Sequence, residues 1–367
     1  MLGVYVHIPF CERKCNYCAF SSFVEKTEKI DEYIGFLSKE IENFAKNNKK
    51  SVDTIYIGGG TPSLLSESQI EKIVGLLKEN FALTENCEIT VECNPNSLTK
   101  EKLLKYKSLG INRLSIGVQS LDDDQLSFIG RLHSSKEAIE KIKLSKEIGF
   151  ENISVDLLIG LNGATAERFL VQLQMLIYLD IKHISTYMLQ IEDNTPLKKM
   201  VESETVILPT DEESVEIYEK TAEFLNKNGF YRYEVSNFAK KGYESKHNFK
   251  YWTGEDYIGF GLSAHSYMDG RRWSNANNFK GYYQGEKPLD EVLSNGQKIE
   301  EHIMLGLRCK NGIDISFLRS LGYDIEKNEY LNDFIAKDIL IKEGNKIYIN
   351  EKYYGVNNFI IVHLLPF

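Results

Sequence analysis

Between residues 3 and 189, strand-like and helix-like segments alternate six times, and nothing else in the sequence constrains the fold as strongly. The strand-like segments are 3–9 (GVYVHIP), 52–58 (VDTIYIG), 87–93 (CEITVEC), 112–118 (NRLSIGV), 151–158 (ENISVDLL) and 182–189 (KHISTYML). Helical patterns lie between them. In 29–47, Ile30, Ile34, Leu37, Ile41 and Phe44 recur at steps of four and three, the apolar stripe of an amphipathic helix. Successive βα units of this size imply a parallel sheet with helices outside it.

The strands also carry a polar face. Cys87, Ile89, Val91 and Cys93 alternate with Glu88, Thr90 and Glu92; Leu114, Ile116 and Val118 alternate with Arg113, Ser115, Gly117 and Gln119. Ile153, Val155 and Leu157 oppose Ser154 and Asp156. Parallel strands of an open doubly wound sheet are buried on both faces and read as apolar throughout. A barrel or partial barrel with a solvated or ligand-filled lumen accounts for the polar face, so an α/β partial (β/α)6 barrel is expected. Glu92, Gln119 and Asp156 fall near the C-terminal ends of their strands, where such barrels build active sites. The alternative is that each is a buried polar group satisfied locally.

Past residue 190 the alternation weakens. Residues 211–228 read as a helix and 230–238 as a strand, while 240–295, rich in Gly, Asn and aromatics, reads as a linker or substrate-covering segment. From 297 three helical patterns precede "GNKIYIN", which suggests a smaller, mainly helical domain with a β-ribbon. The expected divisions are therefore 1–238, 239–296 and 297–367. A net charge of −9 with no Lys/Arg run speaks against nucleic acid as a partner. The start "MLGVYVHIPF" lacks a charged region and a long apolar run, and "FIIVHLL" is too short to span a bilayer. Six cysteines, three of them clustered, suit a reducing cytoplasm better than a disulfide framework.

That cluster is "CERKCNYC", with Cys11, Cys15 and Cys18 just past the first strand. Three thiolates at this spacing can face one metal centre from a single loop. Structural zinc takes four ligands, and no fourth follows at finger spacing. A [4Fe–4S] cluster also takes four, so three cysteines leave one iron open to an exogenous ligand. Three unrelated buried cysteines are the remaining reading.

The motif, with aromatic Tyr17 before its last cysteine, resembles the signature of the radical S-adenosylmethionine superfamily. The resemblance implies a [4Fe–4S] cluster on Cys11, Cys15 and Cys18, its open iron chelated by the methionine moiety of S-adenosylmethionine. "GGGTPS" (58–63) resembles the superfamily's glycine motif; Gly59, Gly60 and Thr61 would then contact the cofactor. Within the superfamily the chain resembles the branch of oxygen-independent coproporphyrinogen III oxidase, through "YVHIPFCERKCNYC", "IYIGGGTPS", "ECNP", "GVQS", "GRLH", "DLLIGL" and "YEVSNFAK". That branch implies cofactor binding by Glu92, Gln119, Arg131 and Asp156, with Tyr5 beside them. His7 shares a strand face with Tyr5 and reads either as a site residue or as a hydrogen-bonded core residue.

The oxidase carries a further cysteine where this chain has Phe20. The HemW family of haem chaperones has phenylalanine there and a His-Asn-x-x-Tyr-Trp motif, matched by "HNFKYW" (247–252). That resemblance implies a haem site involving His247, Tyr251 and Trp252; alternatively His247 caps a turn and Trp252 fills an interface. His265 is the next candidate iron ligand, and His183 a candidate for the lumen. Cys93 and Cys309 read as packing residues. Asn162 stands where relatives have proline, and Cys93 where they have alanine; neither touches the cofactor assignment. The implied function is a haem chaperone that binds the cluster, S-adenosylmethionine and haem and passes haem to an acceptor protein. A homodimer and peripheral membrane contact stay open. The alternatives are radical decarboxylation of a porphyrinogen propionate, another radical reaction on a tetrapyrrole, and an iron–sulfur staple without chemistry.

Overall fold

The structure is a computed structural model that describes residues 1–24 and 27–366. Its first half runs β1 (Leu2–Ile8), α1 (Ile30–Asn47), β2 (Val52–Gly59), α2 (Glu67–Asn80), β3 (Leu83–Cys93), α3 (Lys100–Ser108) and β4 (Arg113–Gln119). There follow α4 (Asp123–Phe128), α5 (Ser135–Glu147), β5 (Asn152–Ile159), α6 (Ala166–Tyr178) and β6 (His183–Met188). β1 to β6 pair in sequence order and in parallel, with the helices on the outer face. This is the partial barrel that the alternating strands imply. Ile30, Ile34, Leu37 and Ile41 of α1 are all buried against the sheet, each such side chain contributing roughly 1.5–3 kcal/mol. Capping boxes at Ser66/Gln69 and Ser134/Glu137 start α2 and α5 by satisfying otherwise orphaned amide donors.

Beyond β6 come α7 (Pro196–Glu202), α8 (Asp211–Lys227), β7 (Tyr231–Arg232) and β8 (Asn237–Ala239). β8 runs antiparallel to β6, so the single strand expected over 230–238 is two short ones around a turn. The segment 239–296, expected as a linker or substrate-covering segment, is built of regular elements. It holds α9 (Lys246–Thr253), β9 (Tyr257–Phe260), β10 (His265–Met268), β11 (Arg271–Ser274), α10 (Phe279–Tyr283) and β12 (Leu289–Val292). β9 adds in parallel to the free edge of β1, and β10 to β12 continue antiparallel. The sheet therefore has twelve strands, in the order β12-β11-β10-β9-β1-β2-β3-β4-β5-β6-β8-β7. Strands of four residues show too little alternation to read. One signal was available: Asp269-Gly270, both at positive φ (52° and 79°), forms the two-residue turn between β10 and β11.

The remaining chain is α11 (Asn295–Gly306), β13 (Ile313–Asp314), α12 (Ile315–Ser320), α13 (Glu329–Ala336), β14 (Leu340–Glu343), β15 (Lys346–Ile349) and α14 (Asn357–Leu364). Its strands form a separate small sheet, β13-β15-β14. One continuous core runs through both parts, with Ile129, Leu158 and Leu161 forming a small separate cluster. Among the described residues, no helix is long and apolar enough to cross a membrane.

Candidate functional site

The C-terminal ends of β1 to β5 gather the residues singled out above. Cys11, Cys15 and Cys18 sit on the loop after β1, all with free thiols. Backbone bonds Cys11 N–H to Phe23 O (3.1 Å) and Asn16 N–H to Ile129 O (3.0 Å) hold the loop, as does Asn16 Nδ2 to Phe128 O at 2.7 Å. Cys11 Sγ accepts from the Thr61 hydroxyl at 3.5 Å, and Cys15 Sγ from Arg131 Nη1 at 3.4 Å. Burial pushes the Cys18 thiol up. Among the described residues, no three Cys, His or acidic side chains converge as they would on a single ion.

Gly59 and Gly60 lie directly under this loop. A Cβ on Gly59, whose φ is +114°, would meet the His7 ring at 2.8 Å. Glu92 accepts from Gly59 N–H at 3.0 Å and from the Tyr56 hydroxyl at 2.8 Å. Burial lifts its carboxyl to about 7, against the Tyr56 hydrogen bond and with the Asp156 charge adding to the rise. Asp156, also raised by burial, accepts from Ser115 and Ser154 at 3.2 and 3.4 Å. Gln119 has φ +68° at a bulge in β4, which turns its side chain beside Gly117 and Arg131. Arg131 Nη2 donates to Asn94 Oδ1 at 2.7 Å and to the Gly117 carbonyl. Its Nε is buried and without a partner among the described residues, a spare donor suited to a carboxylate.

Tyr5 and His7 share a face of β1, as strand alternation requires. His7 Nε2 donates to the Ser21 carbonyl at 2.9 Å, so Nδ1 is the acceptor for the Tyr5 hydroxyl, also at 2.9 Å. Burial lowers the pKa of His7, consistent with a neutral ring. Tyr5, Tyr56, Glu92, Tyr187, Glu234 and Trp252 line an open cavity of about 510 Å³. Tyr56, Tyr187, Asn94 and Glu234 were not singled out in the sequence. Tyr56 was accessible to the same reasoning, since Thr54, Tyr56 and Gly58 alternate onto one face of β2.

The hexapeptide forms α9. Glu88 of β3 accepts from the backbone N–H groups of Lys246 and His247, 3.3 and 3.2 Å away, pinning the N-terminus of α9 to the sheet. His247 is fully buried. Its Nδ1 pairs with Thr54 Oγ1 and its Nε2 with the Tyr251 hydroxyl, both at 2.8 Å. Burial, reinforced by Lys250, lowers its pKa to about 3. Both ring nitrogens are thus committed, and the ring stacks against Tyr56. Tyr251 and Trp252 do reach the cavity. His183 is buried too, between Ser154 Oγ and the Tyr233 hydroxyl at 2.7 Å each. His265 is exposed. Replacing Thr54 by Val keeps the shape and strips His247 Nδ1 of its partner; Thr54→Val is expected to lose about 1–3 kcal/mol in denaturant unfolding. An unchanged midpoint would mean that the pairing is not maintained.

A family model described as the radical SAM superfamily matches residues 5–176. The haem chaperone HemW of Bacillus subtilis (strain 168) is 37% identical over 363 residues, covering 96% of each chain. HemW of Lactococcus lactis is 35% identical, over 99% of this chain and 97% of that one. A mitochondrial radical S-adenosyl methionine domain-containing protein 1 of Danio rerio is 35% identical, over 85% of this chain and 73% of that one. Among solved structures, coproporphyrinogen III oxidase HemN of Escherichia coli superposes with a TM-score of 0.85 over 99% of this chain and 90% of that one. At 23% identity that likeness concerns the fold. With near-complete coverage and a shared barrel, the chain belongs to the HemW family within the radical SAM superfamily.

Proposed function

We propose that the chain is a haem chaperone: it carries a [4Fe–4S] cluster on Cys11, Cys15 and Cys18, binds S-adenosylmethionine at the strand ends, and delivers haem to an acceptor protein. The observation that carries this is the 37% identity, over 96% of both chains, to a protein named as a haem chaperone. Bound together, the cluster and S-adenosylmethionine supply one-electron chemistry. The residues present fit both groups. Thr61 and Arg131 already hydrogen-bond the sulfurs of Cys11 and Cys15. The spare Arg131 Nε–H suits the cofactor's carboxylate, Glu92 an amino group or ribose hydroxyl, and Asp156 likewise. Gly59 and Gly60 leave room for close backbone approach, with Gln119 and Tyr5 completing the wall.

Phe20, 70% exposed at the loop's end, presents an apolar ring where the oxidase branch has its further thiol. This favours haem handling over porphyrinogen turnover. The intact Glu92–Asp156–Arg131 cradle favours, as a second reading, a radical enzyme acting on a tetrapyrrole. We place the protein in the cytoplasm, whose reducing thiol pool suits six unpaired cysteines.

One experiment separates the two readings. The anaerobically reconstituted protein is given S-adenosylmethionine, a reductant and coproporphyrinogen III, and a parallel sample is titrated with haem. Equimolar haem uptake, transfer to an apo-haemoprotein and no protoporphyrinogen are expected. Protoporphyrinogen formed together with 5′-deoxyadenosine would overturn the chaperone reading.

A further inference from the structure

A second cavity lies at the outer rim of the barrel, between the cysteine loop and β10. Its volume is about 330 Å³, and Tyr5, His7, Phe20, Tyr251, Tyr257 and His265 are among its walls. Tyr5 and Tyr251 also line the inner cavity, so the two cavities share these two rings as walls. The hydroxyls of Ser21 and Ser263, 3.0 Å apart, tie the cysteine loop to the turn before β10. Phe20 and His265, near the two ends of that tie, both line the cavity.

The chain has seven histidines. Six have a ring nitrogen engaged: His7 and His247 as described, His133 with Val118 O, His183 with Ser154, His302 with Asp314 N–H, and His363 with Phe359 O. Among the described residues, no hydrogen bond reaches either ring nitrogen of His265, although its ring forms part of a cavity wall. Around it stand flat apolar faces: Phe20, and Tyr251 and Tyr257 in edge-to-face contact with centroids 4.6 Å apart. Lys14, whose ammonium reaches the Phe20 carbonyl at 3.0 Å, puts a cation at the same loop.

We propose that this rim cavity is where the protein takes up haem, with His265 as the protein ligand to the iron and Phe20 and Tyr257 against the porphyrin faces. The proposal rests on the haem-chaperone reading and gives it a site. An iron ligand must offer an imidazole nitrogen that is unprotonated and sterically free. His265 has that freedom, and the partial burial of its ring, together with Arg272, lowers its pKa. His247 lacks it, since ligation there would break two buried hydrogen bonds and expose a fully buried ring. The hexapeptide acquires a different part: His247 orients the Tyr251 hydroxyl, and Tyr251 forms the wall shared by the two cavities. Lys14 suits a haem propionate. The site would place the porphyrin beside the cysteine loop, with one edge in solvent for hand-over.

The test uses the full-length protein and ferric haem, followed by the Soret band and by electron paramagnetic resonance. In the parent we expect a nitrogen-ligated spectrum. His265→Ala should weaken haem binding roughly tenfold or more and remove the nitrogen-ligand signature, with circular dichroism and S-adenosylmethionine binding unchanged. Imidazole added to His265→Gly should restore the signature. Phe20→Ala should weaken binding with the signature retained. Parent-like affinity and spectrum in His265→Ala would overturn the site while leaving the chaperone reading intact. Failure of the parent itself to take up haem would overturn that reading, and this site with it.

Discussion

Glu92→Gln is expected to make the protein more stable at pH 8.5 and to weaken its affinity for S-adenosylmethionine. Glu92 is half-buried beneath the glycine loop, and desolvation lifts its carboxyl from 4.5 to about 7. A carboxyl whose folded pKa lies above its unfolded value favours folding most when it is protonated. That advantage is complete below about pH 4.5, declines as pH rises, and is gone once pH passes 7. Relative to a residue that is neutral at every pH, the ionised carboxylate therefore costs about 3 kcal/mol at pH 8.5 and nothing at pH 4. Glutamine keeps the geometry. Its oxygen can accept from Gly59 N–H, and its amide can donate to the Tyr56 oxygen once that hydroxyl turns. The functional loss follows from the same change, because an amide has no charge to offer an amino group. Affinity should fall by roughly tenfold or more, and in the parent it should weaken as pH drops from 8 to 6. Denaturant unfolding at pH 4.5 and 8.5, with calorimetric titration of the cofactor, checks both halves. Equal stabilities of parent and variant at both pH values would show that Glu92 does not carry the strained charge.

The two halves of the molecule differ in how far their sequence could be read. β1 to β6 announce themselves because each has six residues or more with one polar face, and each is followed by a helix with its own apolar stripe. The same alternation located Glu92, Gln119 and Asp156, since strand period and strand end are both local properties. Arg131 and Phe20 required the family resemblance, as nothing local marks them. β9 to β12 stayed hidden for a physical reason. They are short, and their pairing partners are distant or antiparallel neighbours. The motif attaches function to His247, whose ring is fully buried and hydrogen-bonded at both nitrogens. His265, on a strand the sequence did not reveal, is the ring whose nitrogens are left available. The proposed haem site rests on that placement, which sequence pattern alone does not supply.

Gly60→Ala is expected to prevent cluster assembly, although alanine adds one methyl group. Gly60 needs no unusual backbone angle; what it provides is space. A Cβ at this position would lie 2.6 Å from Phe10 O, 3.0 Å from Ile8 O and 3.0 Å from Cys11 Sγ. Two of these three neighbours are backbone atoms and cannot rotate away. They are also partners in the contact that holds the cysteine loop: Gly60 N–H donates to Ile8 O and Thr61 N–H to Phe10 O, both at 2.8 Å. Relief of the clash must therefore separate the glycine loop from the cysteine loop, moving Cys11 away from Cys15 and Cys18 and breaking the Thr61–Cys11 contact. The stability cost should be about 1–3 kcal/mol, as for other overpacked sites. The larger effect is on metal: iron bound after anaerobic reconstitution should fall from about four per chain to less than one. Gly35 supplies the control, since a Cβ there meets nothing within 4 Å. Gly35 lies within α1, so Gly35→Ala should gain about 0.5–1 kcal/mol and leave iron content unchanged. Full iron loading of Gly60→Ala would mean that the cysteine loop can rise from the glycine loop and still close around a cluster, and the packing of β1 against β2 would then not be what positions Cys11.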